Sequence, residues 1–203
     1  MRAAQIVSIV FHPLLLTTYL VLVIGVWMPS FLLIGQGRYL FSFAAFVFGI
    51  TFVLPVLNLA LFRQFGIIKS WKMESRNERI LPFIFISTVY LLITFLFIYK
   101  VHFAMNFTKL LLVIAALVVT TTIATFFFKV SVHSLSWSGI VGIMLPLNRT
   151  DVRLIWPTAV LILIAGLVMS ARLKLNAHTA GEVMIGAVIG FIVGFAGVDI
   201  LFH

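Results

Sequence analysis

LLLVIAALVVTTTIATFFF, residues 110–128, runs for 19 positions without a charged side chain. As a helix rising 1.5 Å per residue it reaches about 28 Å, the thickness of a bilayer's hydrocarbon core. Inside lipid every backbone N–H and C=O must find its partner within the protein, so the spanning element is a helix or a strand of a closed barrel. A barrel strand alternates apolar and polar side chains; this run does not, and the reading is helix. Working outward, comparable stretches occupy 6–28, 39–62, 80–99, 134–147, 154–171 and 180–202, with the quoted run extending to 109–128. The stretch at 134–147 is short. Even with His133 its 15 residues rise only about 22 Å, so it is expected to begin below the interface, in a recess. The expected fold is all-α, a polytopic transmembrane helical bundle of six or seven spans, forming one integral membrane domain over 1–203 with a motif-bearing core at about 63–202.

Composition agrees. Of 203 residues, 63% are hydrophobic and 9% charged, with mean hydropathy +1.24, too few polar groups to cover a soluble globule. There is no cysteine, which removes disulfides, thiolate zinc sites and thiol nucleophiles. The acidic residues are Glu74, Glu78, Asp151, Glu182 and Asp199, too scattered to supply the clustered carboxylates that two-metal phosphatases and Mg-dependent lipid transferases need. A net charge of +9 dispersed among spans makes no stripe for a nucleic-acid backbone, so membrane lipids with anionic headgroups are the expected partners and nucleic acid is not. The first apolar run follows a single Arg2, is broken at His12-Pro13 and continues to Trp27 without a small-residue cleavage site, which reads as a retained first span. Gly186, Gly190 and Gly194, spaced by four, give the last span one small-residue face suited to close helix packing.

Three polar clusters interrupt the apolar stretches. The first, Arg63 to Pro82, carries Arg63, Lys69, Lys72, Arg76 and Arg79 against Glu74 and Glu78; a solvated cationic loop at an anionic headgroup layer would explain it by itself. The second, Lys129-Val-Ser131-Val-His133-Ser134, opens a helix with Ser131 as its N-cap, and the free N–H groups there with His133 in the first turn form a potential anion site. The third is Arg172-Leu-Lys174-Leu-Asn176-Ala-His178-Thr-Ala-Gly-Glu182. His178 and Glu182 are four apart, on one helical face that continues into the glycine stripe and therefore packs inward. A histidine held by a carboxylate has a fixed tautomer and raised basicity, which nucleophilic or base catalysis requires; a structural His–Glu bond between helices is the other reading.

Taken in order, Lys72-x6-Arg79, Ser131-Val-His133 and Ala171-Arg172-x5-His178-x3-Glu182 resemble the three-part signature of the type-2 phosphatidic acid phosphatase superfamily, K-x6-R, P-S-G-H and S-R-x5-H-x3-D. Order and internal spacing match. The residue types differ at Ile80, where the family has Pro, at Val130 and Val132 for its Pro and Gly, at Ala171 for Ser and at Glu182 for Asp. The resemblance implies a phosphatase-type helical core and a membrane enzyme hydrolysing a lipid phosphate or a polyprenyl diphosphate. It implies that His178 attacks phosphorus to give a phosphohistidine, that Glu182 orients it and that His133 protonates the leaving group. Lys72, Arg79, Ser131 and Arg172 would hold the phosphate, with no metal and no cofactor.

Two alternatives use the same residues: a lipid phosphotransferase, and a catalytically inactive relative that binds anionic headgroups. All three clusters share one membrane face only if the short stretch at 134–147 crosses. That face and the N-terminus then hold nine basic residues (Arg2, Arg63, Lys69, Lys72, Arg76, Arg79, Lys129, Arg172, Lys174) against five, which favours the cytoplasm. With Lys72, Arg79 and Arg172 set aside as phosphate ligands the count is six to five, nearly even. Compactness and the lack of appended domains suggest a bacterial inner-membrane enzyme.

Overall fold

The computed structural model describes every residue except 72, 74, 102, 103 and 203. Among the described residues there is no strand, and the chain is an all-α polytopic bundle. Helix α1 (Arg2–Val10) stops where Pro13 removes a backbone donor. A one-turn 3-10 segment, Pro13–Leu15, then leads into α2 (Leu16–Trp27), so the first span is a broken rod. A short α3 (Pro29–Leu32) ends on Leu33 in the left-handed region and turns the chain. The second span is α4 (Arg38–Phe48) and α5 (Leu54–Gln64), joined by a π-helical turn at Gly49–Val53 just before Pro55, where the proline's missing N–H loosens the ladder. Helices α6 (Asn77–Leu96, continued by a π-helical turn to Val101) and α7 (Met105–Phe127) form a hairpin. Then come α8 (Val132–Leu147), α9 (Ile155–Lys174) and α10 (Ala180–Phe202).

Among the described residues six helical segments, counting broken rods as one, are long and apolar enough to cross a membrane: Arg2–Trp27, Arg38–Gln64, Asn77–Val101, Met105–Phe127, Val152–Lys174 and Ala180–Phe202. Val132–Leu147 is shorter, but it is the axis of the bundle. Leu135, Ile143, Met144 and Leu147 on it are fully buried, against neighbours that include Ile24, Leu154, Val168 and Val198. It runs parallel to α10 along the glycine stripe, and α9, which joins them in sequence, carries the chain back. A Cβ built on Gly186 would lie 2.8 Å from the Ser131 carbonyl oxygen, one on Gly190 would strike the Leu135 carbonyl, and one on Gly194 the Gly139 carbonyl. Backbones approach this closely only where side chains are missing, which is the small-residue packing available when lipid offers no hydrophobic drive between helices.

Interhelical hydrogen bonds do the rest. The Thr17 and Tyr90 hydroxyls pair at 3.0 Å between α2 and α6, and Thr122 on α7 donates to the Phe83 carbonyl at 3.1 Å. At one end of the bundle Arg149 bridges Asp199 at 2.7 Å and Asn106 donates to the Phe31 carbonyl at 3.1 Å. At the opposite end Arg76 donates to the Phe127 carbonyl at 3.1 Å and Ser131 N–H to the Glu182 carbonyl at 3.3 Å. The three polar clusters and α1 are at this second end.

Candidate functional site

Four helices deliver the site. α10 begins at Ala180 behind Thr179, whose hydroxyl accepts from Glu182 N–H at 3.2 Å, the N-cap half of a capping box. The Glu182 side chain, in the first turn where the helix dipole favours an anion, turns instead to His178 Nδ1 at 2.6 Å. A carboxylate only accepts, so Nδ1 carries the proton and the free lone pair is on Nε2. The His178 side chain is 3% exposed and that of Glu182 24%, so the pair is set into the protein with the carboxylate at the rim. Burial holds the His178 imidazole below its ordinary value of 6.5, while the bond to Glu182 pulls it upward and the nearby Arg172 and Arg79 guanidiniums push it down. His178 is therefore neutral near pH 7, the form in which Nε2 can attack.

Arg172 stands in the last turn of α9, where the helix C-terminus favours a cation. Its Nη1 donates to the Ser8 hydroxyl at 3.4 Å, and its Nε is buried without a partner among the described residues. Arg79, in the first turn of α6, donates from Nε to the Met73 carbonyl at 2.7 Å, which ties Met73 to the start of α6. Arg79 interacts electrostatically with Glu182 and Arg172, and His178 interacts with both guanidiniums. Among the described residues two carboxylates, Glu182 and Glu78, act on Arg79, and Glu182 is already bonded to His178.

At the start of α8, Ser131 is the N-cap, as the sequence suggests, with its hydroxyl accepting from Ser134 N–H at 3.4 Å and bonding the Ser134 hydroxyl at 3.0 Å. It is also fully buried. Its side chain is thus enclosed in the cap and shapes the N-terminus of α8, and His133, two residues on, is half-buried. His133 Nε2 is 3.1 Å from the Ser8 carbonyl, which fixes the proton on Nε2, and the ring interacts electrostatically with Arg172, His178 and His12.

Lys72 lies outside the described residues. Lys129, Lys174 and Asn176 are peripheral: Lys129 is half-buried, Lys174 exposed, and Asn176 has φ +49 in the turn after α9, where an asparagine suits the left-handed stop of a helix. Arg63 stacks over the exposed Trp71 ring at 5.2 Å and belongs to the interfacial loop. Among the described residues no three His, Asp or Glu side chains converge as a metal-ligand set.

Sequence reasoning missed Ser8. From the sequence His12-Pro13 reads either as a helix kink with a hydrogen-bonded histidine or as an approach to the pocket; in the structure the His12 Nδ1 accepts from Leu14 N–H at 3.3 Å, and its ring packs edge-on against His133 with centroids 5.6 Å apart. Comparison of the chain with protein-family models, with curated proteins and with solved structures finds no match.

Proposed function

We propose that this chain is a metal-independent membrane phosphatase that hydrolyses a lipid phosphate or polyprenyl diphosphate through a phosphohistidine. The observation that carries the reading is the grouping of Arg79, Arg172, His133 and the His178–Glu182 pair at one end of the bundle, from four different helices. Arg79 and Arg172 neutralise the phosphate oxygens, the guanidinium fork matching their geometry. The His178 Nε2 lone pair forms a bond to phosphorus as the ester P–O bond breaks, and the leaving oxygen takes the Nδ1 proton of His133 in its imidazolium form, while the Nε2–H stays on the Ser8 carbonyl. Glu182, on Nδ1–H, stabilises the cationic phosphoimidazole. Water then cleaves the P–N bond, giving its proton to His133 and releasing phosphate.

A lipid substrate fits because every one of these residues is at or beside the end of an apolar span, so the phosphate is held at headgroup depth and the chains remain in the bilayer. Whether the phosphoryl group passes to water or to an alcohol depends on the acceptor and not on these residues. The test is phosphate release from phosphatidic acid, phosphatidylglycerol phosphate and a polyprenyl diphosphate by the purified protein in detergent. We expect release that persists in EDTA and disappears in His178→Ala with the fold intact. Binding of anionic lipid without any release would replace this reading by that of an inactive headgroup binder.

A further inference from the structure

The first span is not a passive anchor, because one residue of it touches two members of the phosphate site through different atoms. Ser8 on α1 accepts from Arg172 Nη1 through its hydroxyl at 3.4 Å, and its carbonyl accepts from His133 Nε2 at 3.1 Å. Ser8 is itself buried. Among the described residues this hydroxyl is the hydrogen-bond partner of the Arg172 guanidinium, whose Nε has none. A further contact comes from the same span: Trp137, one turn after His133 on α8, donates its indole N–H to the Phe11 carbonyl at 2.9 Å, so the end of α1 is fixed against α8 at a second point.

These contacts have a chemical consequence. An unanchored arginine beside a second guanidinium swings toward water and away from its like charge; a bond from one Nη to a buried hydroxyl holds the fork in place and leaves its other N–H groups for an anion. The carbonyl of the same residue fixes His133 in the Nε2–H form and leaves Nδ1 as the ring atom that takes up and delivers the proton. We infer that Ser8 is a positioning residue of the phosphate site, its hydroxyl setting how tightly Arg172 holds phosphate and its carbonyl setting the tautomer of His133. This rests on the phosphate-site reading given above.

The hydroxyl half can be separated by substitution, since Ser8→Ala removes it and keeps the carbonyl. The measurements are the affinity for inorganic phosphate, followed by 31P NMR titration of the purified full chain in detergent, and KM and kcat for phosphatidic acid. Ser8→Thr is the rescue variant, and Ser170→Ala, which removes a hydroxyl bonded only to the Gly166 carbonyl on the exposed face of α9, is the control. One hydrogen bond to a charged group sets the scale, so Ser8→Ala is expected to weaken phosphate binding and raise KM by about tenfold while kcat changes less than about threefold. Ser8→Thr should return both to within about threefold of wild type, with the control unchanged. A merely structural role would lower thermal stability and kcat together, without moving phosphate affinity, and would overturn the inference. So would unchanged phosphate affinity and KM in Ser8→Ala, or no phosphate binding by the wild type. Failure of the phosphatase reading looks different: the wild type releases no phosphate from any lipid while still binding phosphate in a Ser8-dependent manner.

Discussion

At the scale of the residue, His178 and Glu182 make the sharpest prediction because their tautomers follow from one bond. In the proposed reaction the attacking form of His178 is neutral, so activity is expected to fall as pH drops through its pKa, which burial already places below 6.5. Glu182 opposes that shift by stabilising the cation. Glu182→Gln removes the opposition; the acid limb of kcat/KM is expected to move to lower pH while kcat falls, since the cationic phosphoimidazole loses its counterion. Comparing wild type and variant on one substrate cancels the substrate's own ionisation. A limb that moves upward would contradict the assignment of Glu182. For His133 the discriminating variable is the leaving group. His133→Ala should cost about 10²–10⁴-fold on a lipid phosphate and far less on an activated aryl phosphate, whose leaving oxygen needs no proton; equal losses on both would remove His133 as the acid. The Arg172-x5-His178-x3-Glu182 spacing is legible because all three residues lie in one short stretch, and a four-residue interval reads directly as one helical face. Ser8 is not legible: a single serine in an apolar run carries no signal, and its partners, 125 and 164 residues away, are set only by how α1 packs on α8 and α9. Ser131 lies between these cases, since its capping role follows from its place before a helix but its complete burial follows from α10 covering it.

At the scale of the element, the seven apolar stretches fall on observed helices; run length distinguishes six of them as spans among the described residues, and the seventh, Val132–Leu147, is shorter. The helix breaks divide differently. Pro13 announces the break in the first span and Pro55 the π-helical turn at Gly49–Val53, whereas the turn at Phe97–Val101 has no proline beside it to announce it. The contact with the sharpest stability prediction is α8 against α10. An Ala Cβ at Gly190 meets the Leu135 backbone carbonyl, which cannot rotate away, so the helices must separate. Gly190→Ala is expected to destabilise by about 1–3 kcal/mol and, by shifting α10 against α8, to lower activity as well. Gly166→Ala on α9, where nothing lies within 4 Å of the added Cβ, should leave stability and activity at wild-type values. The check is thermal unfolding in detergent, followed by tryptophan fluorescence. Equal unfolding temperatures for Gly190→Ala and wild type would mean that the glycine stripe is not a tight interface.

At the scale of the whole molecule, the site exists only if α8 crosses the membrane. Its 16 residues rise about 24 Å, short of a comfortable span, yet it runs parallel to α10, and α9, which joins them in sequence, can carry the chain back only if α8 has carried it to the far end. The far end is marked by Arg149 with Asp199, near the close of α8 and of α10; the near end by Ser131 with Glu182, at their beginnings. Burial among other helices explains how so short an element is tolerated, since its ends contact protein rather than headgroups. Because the chain has no cysteine, single reporters read the topology directly. Arg2→Cys, Lys69→Cys and Lys174→Cys should react with a membrane-impermeant maleimide from one side of sealed vesicles, and Arg38→Cys and Arg153→Cys from the other. Labelling of Arg153→Cys and Lys174→Cys from the same side would mean that α9 does not cross. Labelling of Lys69→Cys and Lys174→Cys from opposite sides would put Arg79 and Arg172 on different faces, and no single phosphate could then be held by both.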